Sequence, residues 1–129
     1  MKNKTLPQLI KELDKWFSLY IRQKDANFKG FVKCYTCDKK MNWKESDAGH
    51  YIKRNHLGAR WDERNVKPQC ARCNRWLNGN QDEFAVRLME DYGSDILEEL
   101  QELKRTVFKP TREGLKQQIE IYKLKVGGK

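Results

Sequence analysis

Two Cys-x-x-Cys pairs, Cys34/Cys37 and Cys70/Cys73, constrain the fold of this chain more than any other feature. A two-residue spacer lets both thiolates of one turn reach the same tetrahedral ion, and a second such turn completes the coordination. A redox motif needs only one pair, so two matched pairs favour a metal. We therefore predict a structural zinc ion on these four residues, which also supplies folding free energy to a chain of only 129 residues.

The start of the chain, residues 1–5, leads into an amphipathic pattern and not into the apolar core of a signal peptide. No apolar run is long enough to span a membrane. We therefore expect a cytoplasmic protein without membrane attachment. Thiols stay reduced in that compartment, which makes disulfides the weaker explanation for the cysteines.

The charge distribution favours a polyanionic partner. The chain carries 27 basic and 18 acidic side chains, a formal net charge of +9. Residues 50–80 hold seven basic against two acidic residues, whereas residues 81–105 hold three against eight. Positive charge that surrounds the central segment predicts nucleic acid as the partner, with an ordinary soluble basic surface as the alternative.

Helical periodicity flanks the cysteine region on both sides. Apolar residues at three- and four-residue steps predict a helix over residues 6–24, with Thr5 and Pro7 as start signals. Similar patterns predict helices over residues 81–126, interrupted at Gly93, where Ser94 is expected to cap the next helix.

The segment between the cysteine pairs holds more than a zinc ribbon requires. It has 32 residues, 38–69, whereas zinc ribbons leave about 15–20. It contains both histidines of the chain. We predict short strands at residues 30–33 and 41–43, a strand over residues 49–54, and a helical turn that starts at Asn74.

His50 on a strand, Asn65 in the middle and Asn74 at the start of a helix follow the order found in β-β-α metal nucleases. A neutral imidazole suits the activation of a water molecule, which predicts His50 as the general base. Asn65 is predicted to support the loop behind His50, and Asn74 to offer its amide oxygen to a catalytic Mg²⁺ or Mn²⁺. The structural alternatives are a partly buried strand histidine, a turn residue and a helix N-cap, respectively.

One position departs from this pattern. Many β-β-α nucleases carry an acidic metal ligand directly before the histidine, and here that residue is Gly49. Asp47 is the nearest carboxylate, but on a regular strand it shares a face with Gly49 and not with His50. Three alternatives remain: Asp47 reaches the metal from a bend, His50 itself is a ligand, or water fills the place.

Basic residues around the motif are candidates for contacts with DNA phosphates, and any one of them could instead be an ordinary solvated charge. The candidates are Lys53, Arg54, Arg60, Arg64, Lys67, Arg72 and Arg75, of which Arg54 and Arg60 flank the His50 loop. On the first helix, Lys11, Lys15 and Arg22 lie away from the apolar face and could also touch phosphate. Tyr51, Trp61 and Trp76 are expected to pack around the zinc more than to stack on bases.

The chain resembles the NinG (Rap) recombination endonuclease family of lambdoid phages. The resemblance is carried by residues 17–22, 47–52, 60–65 and 69–75, and it extends over most of residues 6–100. It implies a phage-encoded, structure-selective nuclease that acts in the bacterial host on Holliday junctions or D-loops. The arrangement of two cysteine pairs is also similar to that of phage endonuclease VII, a dimeric junction resolvase.

These observations together predict a single nuclease domain over residues 1–129, of α+β class. A zinc-bridged β-β-α (HNH-like) core over residues 30–80 is flanked by helices over residues 6–24 and 81–126. We expect a homodimer on branched DNA, with the long end helices as dimer surfaces. The alternatives are a non-catalytic zinc module that binds DNA or a protein, and a homing or restriction-type nuclease.

Overall fold

The computed structural model describes residues 3–127 and has a mixed α+β architecture with five helices and two small sheets in that range. Residues 1, 2, 128 and 129 of the predicted domain lie outside the described residues. The elements run, in chain order, α1 (Leu6–Gln23), β1 (Phe31–Lys33), β2 (Lys40–Asn42), a 3₁₀ turn (Trp43–Glu45), β3 (Asp47–His50), α2 (Leu57–Arg60), β4 (Val66–Gln69), a π-helical turn (Arg72–Trp76), α3 (Gln81–Tyr92), α4 (Ile96–Arg105) and α5 (Arg112–Gly127).

Helix α1 begins at a capping box. The Thr5 hydroxyl accepts a hydrogen bond from the Gln8 backbone N–H at 3.2 Å, and the Gln8 side chain accepts one from the Thr5 N–H at 2.9 Å. These two bonds satisfy N–H groups that have no partner within the helix. The predicted helix over residues 6–24 is confirmed to within one residue at its end.

Each sheet is a pair of antiparallel strands. In the first, Phe31 lies opposite Asn42. In the second, Asp47 lies opposite Gln69, and His50 lies opposite Val66.

The predicted strand over residues 49–54 is wrong at both ends, because the observed strand covers Asp47–His50. Regular pairing stops there because the Asn65 side chain, and not a strand backbone, accepts the Ile52 N–H at 2.7 Å. The chain then turns into the loop that leads to α2.

The two end helices pack against each other. The core that they form contains Leu9, Leu13, Phe17 and Ile21 of α1 with Val66 and with Leu115, Ile119 and Tyr122 of α5. The apolar faces of these helices cover one another and are not free to form a dimer surface, and the expected homodimer stays a prediction. No helix within residues 3–127 is long and apolar enough to cross a membrane.

Helices α3 and α4 form a second core with Ile52 and Ala59 around the buried Phe84, Leu88 and Ile96. Gly93 ends α3 with a positive φ of 96°, as the sequence predicts. The N-cap of α4 is Asp95 and not the predicted Ser94.

Candidate functional site

The four cysteines lie together as the sequence predicts. Their sulfur atoms are all within 4.8 Å of one another, and Cys37 Sγ lies 3.7 Å from Cys70 Sγ. A tetrahedral zinc ion with Zn–S bonds of about 2.3 Å requires sulfur atoms about 3.8 Å apart. The donor set and its spacing therefore fit a structural zinc ion.

Local contacts favour the thiolate form of Cys34, whereas burial raises the pKa of Cys37 and Cys70 while no metal is bound. The Cys73 N–H donates to Cys70 Sγ at 3.4 Å, and Cys34 Sγ lies 3.5 Å from the Thr36 hydroxyl. Burial raises the pKa of the Cys34 thiol, but hydrogen bonds with Thr36 and with the Cys70 backbone outweigh burial and lower the pKa to about 7. A thiol with this pKa readily gives the thiolate that zinc requires.

Trp43 packs on the cysteine cluster, and the three aromatic residues expected there do not. Tyr51 packs against Phe84 in the second core, and Trp61 donates to a carboxylate of α1. Trp76 is 81% exposed. The expectation that Tyr51, Trp61 and Trp76 surround the zinc is therefore wrong.

A cleft of about 830 Å³ lies between α1, β3 and the π-helical turn, and we call it the His50 cleft. Six cationic side chains line it against three carboxylates, which are Asp14, Glu45 and Asp47. The cations are Lys11, Lys15, Arg22, Lys44, Arg54 and Arg75. This excess of positive charge makes the cleft attractive to a polyanion.

The His50 imidazole is held in one orientation. Its Nε2 lies 3.0 Å from the Arg60 backbone carbonyl, which can only accept, so Nε2 carries the proton in that bond. In the neutral ring, Nδ1 therefore keeps its lone pair. Burial lowers the pKa of His50 from its usual 6.5, so the ring is neutral at pH 7.

Asp47 and Asn74 are in direct contact. Asn74 Nδ2 donates to Asp47 Oδ2 at 3.0 Å, and Arg75 makes two further bonds to the same carboxylate, at 2.9 and 2.8 Å. Asp47 and His50 also line the same cleft, although strand alternation placed them on different faces. Asp47 is the first residue of β3, where the strand begins after the 3₁₀ turn.

The space beside Gly49 is filled by Gln69. A Cβ added to Gly49 would lie 1.8 Å from Gln69 Oε1. Gln69 is fully buried and donates to the Thr36 hydroxyl at 3.0 Å and to the Gly79 carbonyl at 2.8 Å. The position before His50 therefore has no room for an acidic side chain.

Asn65 is fully buried and holds the loop between β3 and α2. Its Nδ2 donates to the carbonyls of Ile52 and Ala59, both at 3.0 Å, while its Oδ1 accepts from the Ile52 N–H. Asn65 does not line the His50 cleft, and its contacts match the supporting role predicted for it.

Sequence reasoning missed Asp14. This α1 residue binds the guanidinium groups of Arg60 and Arg54 and accepts from Trp61 Nε1 at 2.9 Å. Burial raises the pKa of Asp14, but the bonds and charge of Arg60 outweigh burial and lower it. Asp14 thus anchors Arg60, whose carbonyl orients His50, and no local motif in the sequence marks this role.

The predicted DNA contacts fall into two groups. Lys53, Arg54, Arg72 and Arg75 are exposed. Arg60 is 15% exposed and bound to Asp14, and Arg64 pairs with Asp62 and Glu99. Lys67 is buried at 6% exposure. Arg60 and Arg64 therefore have ion pairs that compete with phosphate, and Lys67 lies outside the His50 cleft, whereas Lys11, Lys15, Arg22 and Lys44 line that cleft.

The fold and the site define a small α+β protein built on a four-cysteine site able to hold a metal ion. The family model described as "Bacteriophage Lambda NinG protein" matches residues 1–128, and the chain belongs to this family. Over 95 residues it is 32% identical to the protein ninG of Salmonella phage P22 and 30% identical to those of Escherichia phage lambda and Escherichia phage 933W. The match covers 71% of this chain but only 43–44% of those relatives. No solved structure gives a significant match.

Proposed function

We propose that this protein is a metal-dependent DNA endonuclease of the β-β-α (HNH-like) class that cuts branched recombination intermediates. The observation that carries the proposal is the convergence of His50, Asp47 and Asn74 on one positively charged cleft. The antiparallel pair β3–β4, followed by the cysteine-held helical turn, supports the β-β-α assignment.

His50 is the general base in this proposal. Its Nε2 proton is committed to the Arg60 carbonyl, so Nδ1 would be the atom that takes a proton from water, once the ring's second backbone contact, with Ala48, gives way to the water. The resulting hydroxide attacks phosphorus, the phosphodiester P–O bond to the leaving group breaks, the leaving oxygen takes a proton from solvent water, and His50 returns its proton to solvent. The lowered pKa of His50 keeps the base unprotonated at neutral pH.

Asp47 and Asn74 are the residues that would hold the catalytic cation. A carboxylate and an amide oxygen are the hard ligands that Mg²⁺ or Mn²⁺ prefers, and the direct contact between the two side chains supports a shared ion. When bound, the ion supplies electrostatic stabilisation of the charge that develops on the phosphate.

Arg75 is placed to bind a phosphate. Its side chain is 67% exposed, and an ion pair as open to water as its pair with Asp47 contributes little stability. The guanidinium can therefore exchange the carboxylate for a substrate phosphate. The other cations of the His50 cleft would bind the flanking phosphates.

The test is cleavage of a synthetic four-way junction with Mg²⁺ by the wild-type protein, His50→Gln and His56→Ala. His56 is the second histidine of the chain, lies outside the His50 cleft, and makes no capping bond to α2. Loss of a general base lowers the rate by about 10²–10⁴-fold, so His50→Gln should lose activity and His56→Ala should keep it.

The same assay separates the alternatives. Binding without cutting by the wild-type protein would identify a non-catalytic DNA-binding module. Equal cutting of linear and branched DNA of the same sequence would identify a homing or restriction-type enzyme. Measurement of the molecular mass of the protein in solution tests the expected homodimer.

A further inference from the structure

A second cleft, of about 790 Å³, is lined by residues of β1, β2, β4 and the end of α3 and by the segment after α1, and we call it the Lys67 cleft. Its lining includes Lys24, Lys33, Lys40, Lys67, Tyr35 and Tyr92. Residues paired across antiparallel strands point to the same face, and Lys67 pairs with Gly49 while His50 pairs with Val66. Lys67 and His50 therefore project from opposite faces, and no residue lines both clefts.

Lys67 is unusual because its charge is buried and no carboxylate contacts it directly, although Asp91 and Asp25 are near enough to favour its charged form. Its ammonium donates to the Tyr92 hydroxyl and lies 5.4 and 4.7 Å from the ring centroids of Tyr35 and Tyr92. Within residues 3–127, no carboxylate forms an ion pair with it. Buried lysines are normally paired, because burial penalises the charged form. A bound anion would supply the missing partner.

The rest of the cleft indicates which anion. Four lysines line it against two carboxylates, Asp25 and Asp91, and Asp91 already accepts from the Tyr35 hydroxyl at 2.6 Å. The Lys40 ammonium lies 5.0 Å from the Phe31 ring centroid, and Tyr92 is 43% exposed. Lysines interleaved with aromatic rings are typical of surfaces that bind nucleic-acid phosphates and stack on bases.

We propose that the Lys67 cleft binds a second segment of DNA, separate from the segment in the His50 cleft. This proposal rests on the proposed nuclease function, because a branched substrate presents two segments that diverge in direction. Linear duplex is stiff, with a persistence length of about 150 bp, and does not bend sharply enough to enter both clefts of one small domain. Branched DNA fills both clefts at once and gains affinity from the linkage.

The experiment uses the exposed rim of the cleft, because substitution of the buried Lys67 disturbs the fold. Lys33→Gln/Lys40→Gln is compared with a matched control, Lys109→Gln/Lys116→Gln, whose exposed lysines line neither cleft. All proteins carry His50→Gln, so that binding of a four-way junction and of linear duplex is measured with Mg²⁺ and without cutting. Fluorescence anisotropy over a salt series gives the affinities.

Lys33→Gln/Lys40→Gln should weaken junction binding by on the order of tenfold relative to the control. It should also lower the steepness of the plot of log K against log salt concentration by roughly 1.8, because each of the two lost phosphate contacts contributes about 0.9. Duplex binding should match that of the control. Junction affinity equal to the control, or equal weakening for junction and duplex, would overturn the proposal. Because the readout is binding, it decides the matter even where the wild-type protein cuts nothing.

Discussion

Replacement of Gly49 by alanine tests whether Gln69 is the reason that no acidic residue precedes His50. The added Cβ would lie 1.8 Å from Gln69 Oε1 and 2.6 Å from Cδ, so the buried amide must move. Movement breaks its bonds to Thr36 and to the Gly79 carbonyl, each worth about 1 kcal/mol. Overpacking adds about 1 kcal/mol, so we expect a loss of about 3 kcal/mol.

Thermal unfolding at saturating zinc, followed by circular dichroism, measures this loss. For a chain of 129 residues, about 3 kcal/mol corresponds to a fall in Tm of about 11 °C. The matched control is Gly127→Ala, because a Cβ at Gly127 meets nothing within 4 Å, and its Tm should stay near that of the wild type.

A double-mutant cycle identifies the cause of the loss. Gln69→Ala removes the obstructing side chain, so Gly49→Ala should cost less than about 1 kcal/mol in that background. A Gly49→Ala protein as stable as the wild type would refute the reasoning, and so would an undiminished loss in the Gln69→Ala background.

Three further predictions concern the loop, the metal site and the histidine. Asn65→Ala should lower the free energy of unfolding by about 3 kcal/mol in urea titrations, because three buried hydrogen bonds are lost. As a control, Asn55→Ala, at an exposed position, should change that free energy by less than about 0.5 kcal/mol. Purified protein should contain one zinc per chain by elemental analysis, and Cys73→Ser should reduce this content and lower the Tm; an unchanged Tm would contradict the structural role of the metal. The pKa of His50 is lowered in the folded state, so the unfolded chain binds the proton first and stability should decrease as pH falls below about 6.5. Urea titrations at pH 7 and 5.5 should show a smaller decrease for His50→Gln, and an equal decrease would count against burial of the imidazole.

Two patterns of residues close in the sequence were read correctly, whereas the strand over residues 49–54 and the cap at Ser94 were not. The four-cysteine cluster follows from the Cys-x-x-Cys spacing, and α1 follows from its apolar period and the signals at Thr5 and Pro7. Each depends on the geometry of a turn of chain, which the sequence specifies directly. The supporting role of Asn65 was predicted instead from the order of residues in β-β-α nucleases, and its bonds to Ile52 and Ala59 are compatible with that role.

Contacts between residues that are far apart in the sequence could be read only from the folded structure. Asp14 meets Arg60 across 46 positions, and this pairing turns a predicted DNA contact into a support for His50. Lys67 is buried because Tyr35 and Tyr92, which are far apart in the sequence, enclose it. The order of amino acids specifies which reactive and charged groups the chain carries and where its local turns place them. Only packing decided which of these groups face a cleft and which are paired away from it, because burial and ion pairing depend on neighbours that the linear order does not specify.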